Sequence, residues 1–247
     1  MKIAYQHLFF LCVLSFACCC ACSSGHASAQ TTTQDEAKVE EPTMPELRTE
    51  LLERVKVDQE ARRELIEEMQ SNAASGQAAQ PSSELIQKLT KIDEDNTAWL
   101  SGVVDEHGWP GKTEVGEDGA HSAWLLVQHA DRNKEFQKKC LELMQAEPKG
   151  EVAGKDIAYL TDRVLRAEGK PQLYGTQLTQ QDGKMVPQPI EDEEHVDERR
   201  AEVGLQPLAE YIKMATEAYL GGGDDKQDAD KKDDDKQSDG GQGDGAL

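Results

Sequence analysis

Between Pro45 and about Gln70, apolar residues recur with a helical period. Leu47, Leu51, Val55, Leu65 and Met69 fall within about 80° of one another on a wheel of about 100° per residue. Leu85, Leu89, Ile92, Leu100 and Val103 repeat the pattern within a similar arc. Two long amphipathic helices that must bury one face each are therefore written into the first half of the chain. Covalent staples are no alternative to that burial. Five of the 6 cysteines (Cys12, Cys18, Cys19, Cys20, Cys22) precede residue 23, so only Cys140 remains and no internal disulfide can form beyond it. Cys140 lies with Phe136 and Leu143 at helical spacing, which reads as a core stripe and not as a nucleophile.

Punctuation divides the rest. Ser82 or Ser83 caps the second helix, which reaches about Glu106 and stops at Gly108 and Pro110. Gly111 to Gly116 reads as a loop. A third helix spans about Glu117 to His129. Asp131 to Asn133 caps a fourth over Lys134 to Ala146, and a fifth covers about Lys155 to Glu168. Gln172 to Gln177 and Lys184 to Gln188 flank Asp182-Gly183 and read as a hairpin, its second arm confined to an edge by Pro187 and Pro189. Closing helices are expected at Glu193 to Val203 and Pro207 to Leu220. The expected class is mainly α, a helical domain of about seven helices with a small β-hairpin insert.

The ends differ from this middle. Residues 1–29 read as a secretory leader: Lys2 supplies the positive start, Leu8 to Cys22 the apolar run, and Ala27-Ser28-Ala29 a cleavage pattern that leaves Gln30 first. The alternative is a lipoprotein acylated at Cys18 or Cys22, each preceded by Ala, which would anchor the chain to a membrane. Residues 30–43 are polar and read as a disordered linker, 44–220 as the single helical domain. Residues 221–247 hold nine Asp, four Lys and seven Gly, a composition that predicts disorder. The net charge of −21 gives nucleic acid no basic footprint. The expected locations are the periplasm or the exterior.

No GxSxG, P-loop or GxGxxG is present, so no cofactor is implied, and His107, His121, His129 and His195 lack HxxxH or HExxH spacing, so no metal is implied either. What stands out is polarity on apolar faces. Asp58 and Arg62, four apart, lie in the core stripe of the first helix and can pair. Asn96 lies within that of the second, with Asp93 at its margin. His129 and Asp131 at the end of the third helix suit a general base and its orienting carboxylate, and equally suit capping. Gly169 to Gln177 gathers Lys170, Gln172, Tyr174, Thr176 and Gln177 on one connection, which reads either as a binding element, with Asp162 and Arg163 on the preceding helix to brace it, or as a hairpin arm whose polar groups face water.

The stretches DQEAR (Asp58 to Arg62), DEDNTAWL (Asp93 to Leu100), HGWP (His107 to Pro110), VGEDGAHSAWLLVQHAD (Val115 to Asp131), YLTDRV (Tyr159 to Val164), GKPQLYGTQ (Gly169 to Gln177) and PIEDEEHVDERRAEVGL (Pro189 to Leu205) together resemble a bacterial family of unknown function. The likeness covers most of Pro45 to Tyr211. It departs at an insertion over Asn72 to Pro81 and at PIEDEE, which replaces a commoner PIEDP-like ending. The resemblance implies no reaction. It implies that Asp58, Arg62, Asn96, His129, Asp131, Asp162, Arg163, Tyr174, Gln177, Asp197, Arg199 and Arg200 belong to the family pattern. Three readings follow: an exported envelope protein that binds a small polar ligand or a partner protein, an exported hydrolase with His129 as base, and a purely structural envelope protein.

Overall fold

The computed structural model describes residues 41–76, 80–181 and 184–220. The leader, most of the linker, the Asp182-Gly183 turn and the acidic tail lie outside the described residues. Seven helices run along them: α1 (Pro45–Ala74), α2 (Ser83–His107), α3 (Lys112–Gln128), α4 (Lys134–Ala146), α5 (Gly154–Ala167), α6 (Val196–Glu202) and α7 (Leu208–Leu220). Strands β1 (Leu178–Gln181) and β2 (Lys184–Pro187) pair antiparallel between α5 and α6, with Leu178 opposite Pro187 and Gln181 opposite Lys184. Among the described residues no helix is long and apolar enough to cross a membrane.

The α3 helix is the axis of the domain. Its run from Ser122 to Gln128 is buried throughout, so α1, α2, α4 and α5 pack around it. Leu51 of α1, Leu100 and Val104 of α2, Phe136, Cys140 and Met144 of α4, and Leu160 of α5 close on it in one core that continues to Leu208, Tyr211 and Ala215. A smaller cluster, Ala61, Leu65, Leu85 and Leu89, zips α1 to α2 beyond that core.

Caps act where the residues dictate. Ser82 accepts from the Leu85 amide and Asn133 from the Phe136 amide, at 3.4 and 3.0 Å. Three expectations need correction. Gly111 to Gly116 is no plain loop: Lys112 opens a helical turn pinned by Glu151, which accepts from the Thr113 amide and hydroxyl, and the turn breaks at Gly116 with φ 75°. The first hairpin arm lies at Leu178–Gln181 instead of Gln172 to Gln177, because the backbone N–H groups of the earlier segment are taken by Asp162. The helix expected from Glu193 to Val203 is split into a 3₁₀ turn, Glu193–His195, and α6.

Candidate functional site

Any helix ends with carbonyls that lack intrahelical donors. At the end of α3, Gln137 of α4 reaches across and donates its amide to Val127 O at 3.0 Å and Gln128 O at 3.4 Å. His129 is the C-cap itself, and its N–H bonds back to Leu125 and Leu126. This fixes two buried polar side chains, Gln128 and His129, at the place where side chains of five helices meet.

From α1, the fully buried Asp58 carboxylate accepts from His129 Nδ1 at 2.9–3.0 Å and from Arg62 Nε at 3.1 Å. Gln59 adds a third donor at 2.9 Å. Arg62 Nη2 also bonds Asp93 of α2. Burial pushes the Asp58 carboxyl up, yet the donors His129 and Arg62 outweigh it and hold Asp58 far below the usual carboxylate range. Burial, and next the charge of Arg62, lower the His129 imidazole, which is therefore neutral at pH 7. Asp93 has lost more hydration than Arg62 returns, and its carboxyl is raised to about 7. Since an ionised carboxylate only accepts, His129 carries its proton on Nδ1. Its Nε2 lone pair is buried and has no hydrogen-bond partner among the described residues.

Arg163 of α5 forms the other wall. Its Nε donates to Gln128 Oε1 at 2.8 Å and its Nη1 to Asp131 at 2.5 Å. Asp131 thus serves Arg163 and Gln137, and the carboxylate that orients His129 is Asp58. A guanidinium only donates, which fixes the Gln128 amide with its oxygen toward Arg163. The Gln128 NH₂ is buried without a partner among the described residues. Asn96 follows the same logic farther along α2: Arg54 Nη1 donates to its oxygen at 3.1 Å, and its buried NH₂ likewise lacks a described partner.

The Gly169 to Gln177 segment is held by bonds within itself and to α5 and α6. The buried Asp162 carboxylate accepts from the amides of Leu173, Tyr174 and Thr176 and from the Thr176 hydroxyl, all at 2.7–3.2 Å. Gln172 bonds Gln177 O and Gln188 O and receives the Gln177 amide. Gln177 donates to Thr176. Lys170 pairs with Glu168 on the surface. From α6, Arg199 holds Leu173 O, Glu191 O and Asp192 O, Arg200 holds Tyr174 O and Gln206 O, and Asp197 accepts from the Leu208 amide at the start of α7. The Tyr174 ring is half-buried against the core. Gly175, at φ 69°, passes so close to Leu208 and Ile190 that a Cβ would lie 2.8–2.9 Å from their methyls.

The fold therefore joins Asp58, Arg62, His129, Asp131 and Arg163 at the α3 terminus. It groups Asp162, Gln172, Tyr174, Thr176, Gln177, Arg199 and Arg200 in a separate network. The two back onto each other at α5, where consecutive Asp162 and Arg163 face different ways. Sequence reasoning passed over Gln128 and Gln137 and did not select Asp93. The signal for Gln128 was its place directly after the apolar run Ala123 to Val127. A second His–Asp pair was also missed: His121 Nδ1 lies 3.0 Å from buried Asp156, its ring stacked on Trp124. The histidines are scattered in sequence, yet the fold places ligand atoms of Asp58, Asp93 and His129 within 4.8 Å of one another. A cation there would have to compete with Arg62, whose guanidinium already bridges the two carboxylates.

No curated protein and no solved structure matches the chain. One family model does, over residues 45–222, and on that match the chain belongs to the family of unknown function DUF6624.

Proposed function

We propose that this is an exported domain that binds a small polar ligand at the terminus of α3. The observation that carries the reading is the pair of open valences there: His129 Nε2 and the Gln128 NH₂, buried on consecutive residues and unpartnered among the described residues. Each such group costs about 1–3 kcal/mol if nothing completes it. Asp58 and Arg62 of α1, Gln137 of α4 and Arg163 of α5 each hold hydrogen bonds here, so we read the two open groups as the place of a ligand. Asp93 and Asp131, with side chains 21% and 50% exposed, lie on the solvent side of the cluster. The Gly169 to Gln177 segment supports the site through α5. Export rests on the leader pattern of residues 1–29.

The test is a thermal-shift panel of amides, polyols, sugars and carboxylates on the mature chain. At least one compound should raise the melting temperature of the wild type and leave Gln128→Leu unmoved. A flat panel on both proteins would refute the reading.

A second reading is favoured by one geometric fact. A carboxylate on Nδ1 with an open Nε2 is the arrangement of a general base. In this version Nε2 takes a proton from a bound water or hydroxyl, Asp58 holds the ring and its tautomer, and the protein is a hydrolase. Hydrolysis of chromogenic esters or amides that disappears in His129→Gln would support it. Turnover unchanged in that variant would remove it.

A further inference from the structure

The partners of Gln128 and His129 dictate more than a place for a ligand. Gln128 Oε1 faces Arg163 Nε at 2.8 Å, and arginine has no acceptor, so the outward end of this amide is a donor. His129 Nδ1 faces the buried Asp58 carboxylate, so the remaining ring nitrogen of the neutral imidazole is an acceptor. The open valences are therefore one donor and one acceptor, side by side in sequence and both locked by buried charged groups.

The surroundings select charge as well. Asp58, Asp93 and Asp131 sit about the same point, and Arg62 and Arg163 are already engaged by them. An incoming anion would meet the Asp58 and Asp131 carboxylates and a partly ionised Asp93, and both guanidiniums already hold a carboxylate. A carboxylate could accept from Gln128, but it has no proton for His129 Nε2, so two lone pairs would face each other in a desolvated site; a phosphate keeps a P–OH that could donate there, and its charge is what counts against it.

We infer that the ligand presents a neutral group carrying a hydrogen-bond acceptor and a donor together, a primary carboxamide or a hydroxyl, and not a carboxylate or a phosphate. The acceptor meets the Gln128 NH₂ and the donor meets His129 Nε2. A hydroxyl carries both functions on one oxygen, and a carboxamide carries them on its C=O and NH₂. This inference rests on the α3 terminus being the binding site, as proposed above. The burial that keeps His129 neutral favours it too, since an imidazolium would offer a second donor in place of the acceptor.

The experiment is NMR of the ¹⁵N-labelled mature chain, with the Gln128 side-chain NH₂ and the His129 ring nitrogens assigned from Gln128→Leu and His129→Gln spectra. Acetamide, glycerol, acetate and inorganic phosphate are titrated separately. Free protein should show the Nδ1–H tautomer of His129. Acetamide or glycerol should then move the Gln128 NH₂ and His129 Nε2 signals together and saturably. A stronger response to acetamide assigns the carboxamide, and a stronger one to glycerol the hydroxyl. Saturation by acetate or phosphate more tightly than by either neutral probe would overturn the inference while leaving the site in place. An Nε2–H tautomer would overturn it as well. If no probe moves either signal, the inference falls together with the site it rests on.

Discussion

Replacing Asp58 with alanine tests the central network most directly. The carboxylate is fully buried and has three side-chain donors: His129, Arg62 and Gln59. Deleting one member of a buried ion pair usually costs about 3–5 kcal/mol, because the survivor is left charged and dry. Here the survivor is not wholly stranded, since Arg62 keeps its bond to Asp93. The lower end of that range, about 3 kcal/mol, is therefore the expected loss. For a domain of this size it corresponds to a fall of roughly 6–12 °C in melting temperature. Urea unfolding of the mature chain at pH 7, followed by tryptophan fluorescence, measures it. The ionisation of Asp58 itself adds no pH dependence from about pH 5 to 8. Asp58 is held below its unfolded value, so its contribution is present above that value and fades only as pH falls through the much lower folded one. A loss below about 0.5 kcal/mol would place the pair in the class of exposed ion pairs and refute the reasoning.

Asp93 should give the opposite pH dependence. Its folded pKa of about 7 lies above the unfolded 3.8, so its contribution to stability is lost progressively as pH rises from about 4 to 7. His129, lowered by burial, works against it, adding stability as pH rises toward 6.5. Asp93→Asn should therefore show a steeper gain in stability with pH up to about 6.5 than the wild type, and parallel profiles would count against the Asp93 shift. Asp162→Ala removes the acceptor of three amides and a hydroxyl; it should cost at least about 3 kcal/mol and speed amide hydrogen exchange at Leu173, Tyr174 and Thr176. Gly175→Ala meets both a left-handed backbone and the methyls of Leu208 and Ile190, so a loss of about 2–4 kcal/mol in urea unfolding is expected. Mass spectrometry of exported protein should find Gln30 first, and an acylated Cys18 or Cys22 would move the protein to the lipoproteins.

The helices were legible because their determinants are local. Ser82, Asn133 and Gly108 end or begin elements by bonds to residues a few positions away. The wheel placed Asp58, Arg62 and Asn96 inside for the same reason, since period alone decides which face a side chain joins. Partners across the fold were not legible. Asp131 is two residues from His129, and only the packing of α1 against α3 shows that Asp58, 71 residues away, takes that place. The pairing inside the Gly169 to Gln177 segment was not legible either. Its polar groups looked available, but one buried carboxylate on α5 organises the backbone and a glutamine at its own start closes the rest.

The meeting of five helices at the end of α3 also has a kinetic side. The bonds that join Asp58 to His129, Arg62 to Asp93 and Arg163 to Gln128 link residues 71, 31 and 35 positions apart. None can form until the helices that carry them have docked, and burying any of these charges before its partner arrives is unfavourable. The network is thus placed to close after the folding barrier, as a final lock on a bundle already assembled. Substitutions in it should shorten the lifetime of the native state by accelerating unfolding, and should leave the rate of folding nearly unchanged.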